Sequence, residues 1–349
     1  MFWKEKTDMS KIRFDDNELE IAIVTYNRAK FVQIWLEKCY EPACERNILI
    51  SVYDSSTNEE TYELIESFNK NAKMQINYVR IDSDTTIGYK PMCPILQSQS
   101  QYLWLCGDSR YHDFDELDVK AFPFIKQRLD YILLQIVNNA ENDGKIYTDL
   151  NDFFRECFIS VTCVGLSIYK TEMFTDLRNN PELKKKYDDL FKRCYGFAYL
   201  GYFYNVFARG SYKAGFAKVK IHNILSKKKV QTWAKRFYGC WIEELCYIMD
   251  NIPETYKDKD AVLKETWKKM KLDKPKYCYN ARKSGALNDE LYMKYKKNGM
   301  IDRVLDDDKR IKFYAIAPVK DVERKYKLYS IITFPVKIIR YIKESLKTG

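Results

Sequence analysis

The chain reads as an α/β fold: a mostly parallel sheet flanked by helices, followed by a C-terminal helical appendage. Three features carry this. Residues 19–24, 48–53 and 102–105 are short apolar runs rich in β-branched and aromatic residues, as expected of strands buried on both faces. Each run ends abruptly in polar residues, and helical stretches follow the first two. From about Ser226 the strand–helix alternation gives way to helical spacing alone.

After a charged lead-in over 1–17, strands are expected near 19–25, 47–53, 75–81, 101–106 and 131–137. Helices fall between them at about 28–41, 58–72, 90–100 and 115–127. This βαβα rhythm calls for parallel strands with helices on both faces. The apolar run 158–169, which contains Gly165, reads as another core strand, and 216–224 as the last strand of a domain spanning 1–225. Residues 226–349 form the helical region. In it Trp233, Phe237, Trp241, Leu245 and Ile248 recur at helical spacing over 233–249, and Asn251-Ile252-Pro253 stops that helix. Three further Lys-rich helical segments follow.

The chain ends in a basic amphipathic pattern. Leu328, Ile331, Ile332, Ile338, Ile339, Ile342 and Leu346 fall on one side of a helical wheel, with Lys337, Arg340, Glu344 and Lys347 opposite. Pro335 is expected to start a fresh helix there or to kink a longer one. Such a helix suits the interface of an anionic membrane, with a helix packed on the protein's own body as the alternative.

The 349 residues, 46% of them hydrophobic, are enough to bury a full core. The 28 tyrosines suit sugar stacking, although a bias toward Tyr, Lys, Asn and Ile across the composition explains them as well. A net charge of +10 calls for an anionic partner. No zinc-finger spacing or RNA-binding aromatic motif accompanies it, which argues against nucleic acid and leaves a nucleoside diphosphate or an acidic membrane. The ten cysteines form no Cys-x-x-Cys pair and there are only two histidines, so buried free thiols are expected in place of a structural zinc. Residues 1–17 lack the apolar core of a signal peptide, and no uncharged run is long enough to span a bilayer. The expected location is cytoplasmic, peripheral on the inner face of the cell membrane.

In an open α/β sheet, ligands bind beyond the carboxyl ends of the strands. Here those ends carry Val24-Thr25-Tyr26-Asn27-Arg28, Tyr53-Asp54-Ser55-Ser56-Thr57 and Leu103-Trp104-Leu105-Cys106-Gly107-Asp108-Ser109. These three motifs, in this order, resemble the inverting glycosyltransferases of family 2, of the GT-A fold, and most closely their bacterial surface-polysaccharide branch. The resemblance covers about the first third of the chain. It implies transfer of a sugar from a nucleotide-sugar donor, UDP-linked, to a polyprenyl-diphosphate-linked saccharide acceptor in surface-glycan synthesis. A sugar-phosphate nucleotidyltransferase would instead open with a Gly-rich loop.

The resemblance also assigns residues. Thr25, Tyr26, Asn27 and Arg28 form the loop that holds the donor nucleoside, where the residues alone equally allow a plain strand-to-helix turn capped by Asn27. Asp54 contacts the base or ribose, with helix capping as the alternative, and Tyr53 replaces the first acid of the usual pair. Asp108 ligates Mn²⁺ or Mg²⁺ bridging the diphosphate, which neutralises charge where it develops. Cys106 stands where the first acid of that motif is usual, and Gly107 lets backbone approach the ligand. Lys90 is the candidate cation beside the diphosphate, and His222 a candidate late metal ligand, though a lone His on a strand is more often structural. The catalytic base is not marked: 195–201 contains no acid, leaving Glu156, Asp188 and Asp189 as candidates. The altered motifs keep open a second reading, a degenerate non-catalytic binding or scaffold subunit.

Overall fold

A computed structural model describes residues 11–134, 142–224 and 234–345, with side chains described as far as residue 333. The chain divides into two compact units, Met1–Lys229 with Asn251–Lys257, and Val230–Asp250 with Asp258–Gly349.

The first unit runs β1 (Leu19–Thr25), α1 (Ala29–Glu45), β2 (Leu49–Asp54), α2 (Glu60–Asn69), β3 (Asn77–Arg80), α3 (Met92–Gln97) and β4 (Tyr102–Gly107). After these come β5 (Arg110–His112), α4 (Phe114–Lys120), α5 (Phe122–Lys126), β6 (Tyr131–Leu134), β7 (Ile146–Tyr147) and α6 (Leu150–Val161). It closes with β8 (Ser167–Lys170), α7 (Thr175–Asn179), α8 (Pro181–Phe191), α9 (Ala198–Phe207), β9 (Ala214–Ala217) and β10 (Ile221–Asn223). Eight strands make one sheet in the order β3-β2-β1-β4-β8-β6-β9-β7, and β5 pairs with β10 in a separate ribbon. The four strands that begin the chain are parallel to one another, as expected of the continuous apolar runs of β1, β2 and β4, with the partly exposed β3 at the sheet's edge.

The order matters for function. From β1 the chain steps outward to β2 and β3, then returns to place β4 on the other side of β1. The junction of β1 and β4 is therefore the topological switch point, where a crevice opens at the carboxyl edge. Register sets what stands there. Thr25 pairs with Asp54, Asp54 with Arg80, and Val24 with Gly107. The polar strand ends consequently form one row, each about 4.8 Å from the next.

Several expectations are corrected. The run 158–169 is not one strand: its first residues finish α6, whose Phe154, Cys157, Phe158 and Val161 are buried, and the strand begins only at Ser167. That strand, β8, runs antiparallel to both β4 and β6. Apolar residues packed on both sides look alike in either conformation, so the run alone could not separate them. The stretch 216–224 also divides, between β9 in the sheet and β10 in the ribbon. The expected helix over 115–127 breaks at Ala121 into α4 and α5.

The tyrosines fill the core. Tyr131 meets Phe153, Tyr169, Phe203 and Phe207 at centroid distances of 4.8–6.3 Å. Asn251–Lys257, which the sequence places with the helical region, belongs to this unit: buried Tyr256 packs on Phe154 and Tyr204 and donates to Tyr204 O at 2.8 Å. All ten cysteines are free and most are buried.

The second unit is helical: α10 (Leu245–Asn251), α11 (Lys259–Met270), α12 (Pro275–Ser284), α13 (Asp289–Lys297), α14 (Met300–Val304), α15 (Lys309–Ile316) and α16 (Val319–Ser345). The helix expected over 233–249 is not uniform. Trp233 lies outside the described residues, Gly239–Glu244 is wound wide, and regular α-helix begins at Leu245. Pro335 lies within the continuous helix α16. Among the described residues no helix is long and apolar enough to cross a membrane.

Candidate active site

The row of strand ends is tied into one cluster by side chains. Thr25, the last residue of β1, donates from Oγ1 to Asp108 Oδ2 at 2.8 Å. Arg28, just before α1, donates to the other oxygen, Oδ1, at 3.1 Å, and its guanidinium lies 5.0 Å from the Phe31 ring. Asp108 is 5% exposed. Burial raises its pKa, opposed by the Arg28 charge, the Thr25 and Arg28 hydrogen bonds and the Lys90 charge.

Asn27 adopts a left-handed backbone, φ 51°, which Asn tolerates better than most residues. Its N–H donates to Ser56 Oγ at 2.7 Å, and its side-chain oxygen accepts from Thr57 N at 3.0 Å. Asn27 thus ties the β1 loop to the β2 loop. It does not cap α1, whose capping position is Arg28.

Asp54 is fully buried. Its Oδ1 accepts from Ser56 N at 2.8 Å and from the Ser56 hydroxyl, and its Oδ2 accepts from Tyr78 OH at 2.9 Å, with Arg80 3.6 Å away. It caps no helix, since α2 starts after Glu59. Its carboxylate shapes the loop that carries Ser56 and Thr57. Tyr78 and Arg80 were missed by sequence reasoning. The available signal was position, because Arg80 ends β3, a further parallel strand of the same edge, and Tyr78 lies two residues before it. Arg80 also donates to Ser56 O at 2.8 Å and pairs with Glu59.

Lys90 is nearly buried, with its Nζ 4.2 Å from the ring centre of half-exposed Tyr26. Burial lowers its pKa, and the charges of Asp54 and Asp108 oppose that. Its position depends on Gly88. The Gly88 N–H donates to Tyr195 O at 2.6 Å, and Tyr199 N donates back to Gly88 O at 3.0 Å. A Cβ on Gly107 would meet nothing within 4 Å, so open space lies above the backbone beside Asp108.

The other candidates stand outside this cluster, His222 at its border and the acids farther off. His222 stacks on Tyr111 at 4.8 Å within the β5–β10 ribbon. That ribbon borders the site, for Ile224 N donates to Ser109 O at 2.9 Å. Glu156, on α6, binds Lys145, Asn142 and Tyr147; Tyr147 lies on β7, four strands from β4. Burial raises its pKa, but these bonds outweigh that and hold it low, which ill suits a base. Asp188 is likewise held low, burial being outweighed by Lys184 at 2.6 Å and Tyr202 at 2.6 Å. Asp189 is exposed and pairs with Lys185. None of the three is placed against Asp108.

The donor set does not fit a divalent ion held by the chain. Among the described residues no three His, Cys, Asp or Glu side chains gather as ligands. Cys106 is buried, and burial pushes its thiol well above the usual range, so it stays protonated. Both oxygens of Asp108 are already engaged. What the row offers is a cationic and hydrogen-bonding ledge beside open space.

No protein-family model and no curated protein matches the sequence. Solved structures do. The mannosyltransferase PcManGT from Pyrobaculum calidifontis, in complex with GDP-Man and Mn²⁺, is similar over 93% of this chain and 90% of its own, with 11% identity and a TM-score of 0.50. S. aureus TarS 1-349 is similar over 82% of this chain and 89% of its own, with 13% identity and a TM-score of 0.48. Its complex with UDP-GlcNAc shows the same coverage at 15% identity and a TM-score of 0.44. The likeness to the mannosyltransferase runs through nearly the whole of both chains, and this chain has its α/β, GT-A-type fold.

Proposed function

We propose that this chain is a glycosyltransferase that moves a sugar from a nucleotide-sugar donor to a lipid-linked saccharide in surface-glycan synthesis, with inversion. One observation carries the reading: Thr25, Arg28, Lys90 and Asp108 converge at the β1–β4 switch point of a GT-A-type sheet. That is where a nucleoside diphosphate fits such a sheet. The motifs favour UDP, whereas the mannosyltransferase of like fold was solved with GDP-Man. A panel of UDP, GDP and ADP read by thermal shift separates these. UDP is expected to raise the melting temperature by several degrees, since ligand at a hundredfold excess over its Kd stabilises by about 2.7 kcal/mol. No shift with any of the three removes the reading.

A Mn²⁺ or Mg²⁺ ion at Asp108, expected from the sequence, would find no group of three His, Cys, Asp or Glu side chains to hold it among the described residues. The scaffold reading draws on the same departures, Cys106 and the absence of a placed base. Slow donor hydrolysis that Asp108→Ala abolishes would exclude it.

The acceptor side points to an anionic membrane. Leu328, Ile331 and Ile332 are 56%, 62% and 73% exposed on α16, continuing the basic amphipathic pattern. Tyr326 stacks on Tyr279 at 3.9 Å, so the helix is anchored in its own unit up to that point. A chain cut before Tyr326, the simplest choice from the sequence, would lose this stack. A chain ending at Thr333 should instead stay folded, keep Leu328, Ile331 and Ile332, and bind anionic vesicles clearly more weakly through loss of the basic and apolar residues beyond it; Ile331→Glu together with Ile332→Glu in that chain should remove what binding is left. Burying an Ile or Leu fully is worth about 1.5–3 kcal/mol, less at a half-wet interface, and each basic residue near the surface adds about 1 kcal/mol. Unchanged vesicle binding by the shortened chain would end the membrane assignment.

A further inference from the structure

We infer that the site takes the donor diphosphate without a divalent ion, the Arg28 guanidinium filling the place on Asp108 that an ion would need. This rests on the donor reading above and goes further, by naming what meets the phosphates.

A divalent ion bridging a diphosphate needs free anionic oxygen from the protein. Asp108 is the one carboxylate on β4's end of the row, and it is already committed: Oδ1 accepts from Arg28 at 3.1 Å and Oδ2 from Thr25 at 2.8 Å, so an ion would have to displace or share the guanidinium. Asp54 is closed in the same way by Ser56 and Tyr78. The residue two before Asp108 is Cys106, whose buried thiol supplies no charge. An ion approaching Asp108 would also meet the like charges of Arg28 and Lys90. The same two groups suit phosphate directly. A guanidinium offers paired N–H donors to phosphate oxygens and is always charged, and Lys90 adds a compact ammonium on the Tyr26 ring. The Arg28 side chain is 35% exposed, so it faces both the carboxylate and the open side of the site. Asp108 is then the positioning residue that aims Arg28.

The test is titration of the full chain with UDP and GDP, in EDTA and in Mn²⁺, followed by calorimetry. The affinity of the native chain should agree within about threefold between the two conditions, and Mn²⁺ alone should show no tight site by electron paramagnetic resonance. Arg28→Ala should lose at least tenfold in EDTA and regain part of it in Mn²⁺, because the freed Asp108 oxygen can then ligate. Arg28→Lys should keep more affinity than Arg28→Ala in EDTA. Melting curves of the variants, close to native given the exposure of Arg28, guard against misfolding. A loss of tenfold or more by the native chain in EDTA overturns the inference and leaves the donor reading standing. Binding of neither nucleotide in either condition removes both.

Discussion

Asp108→Asn should lower donor turnover by at least a hundredfold while leaving the protein folded. The carboxylate sits at the switch point and holds Arg28 and Thr25 in place. An amide keeps the size and an acceptor for Thr25, but it loses the charge that aims the guanidinium. Removing one well-placed electrostatic group at such a site commonly costs about 10²–10³ in rate. Stability should fall by only about 1–2 kcal/mol, because the partly exposed Arg28 can turn to solvent instead of being left as a buried unpaired charge. For a unit of this size that is roughly 2–8 °C in melting temperature. Turnover and calorimetry on the same preparation check both halves. Native-like turnover would place the chemistry elsewhere in the molecule.

Gly88→Ala should do the reverse, with stability lost first and function following. A Cβ there would lie 2.7 Å from Gly196 C, Phe197 N and Ala198 N, all backbone atoms. Hydrogen bonds on both sides, to Tyr195 and from Tyr199, stop either segment from yielding. Forcing a methyl group into such a contact costs about 1–3 kcal/mol, and relief requires the turn carrying Lys90 to move. The expected result is a lower melting temperature together with weaker nucleotide binding. Gly107→Ala is the contrast, since its Cβ would meet no protein atom within 4 Å. It should melt like the native chain, and any loss of donor affinity would report a ligand lying against that backbone. Equal melting of Gly88→Ala and the native chain would show that the 195–199 segment does not fix Lys90.

The strands β1, β2 and β4 were legible because burial on both faces leaves an uninterrupted apolar run that stops where the chain meets solvent. The polar tips that follow, Thr25-Tyr26-Asn27-Arg28, Asp54 and Gly107-Asp108, were legible for the same reason. Periodicity failed where burial is extensive but the backbone differs, as over 158–169, which passes from the end of a helix through a turn into an antiparallel strand. It failed again at Asn251–Lys257, where a single buried Tyr256 returns the chain to the first unit.

The sequence by itself therefore determined the class of sheet, its leading strands and the residues at their ends. Only the tertiary structure decided what those residues do to one another. Strand order set β4 beside β1, and register set Asp54 against Arg80 and Thr25 level with Asp108. A carboxylate's chemistry depends on which donors reach its two oxygens, and here those donors lie 80 and 83 residues away in sequence. Local pattern can place Asp108 at the end of a strand, but only the folded chain puts Arg28 on it.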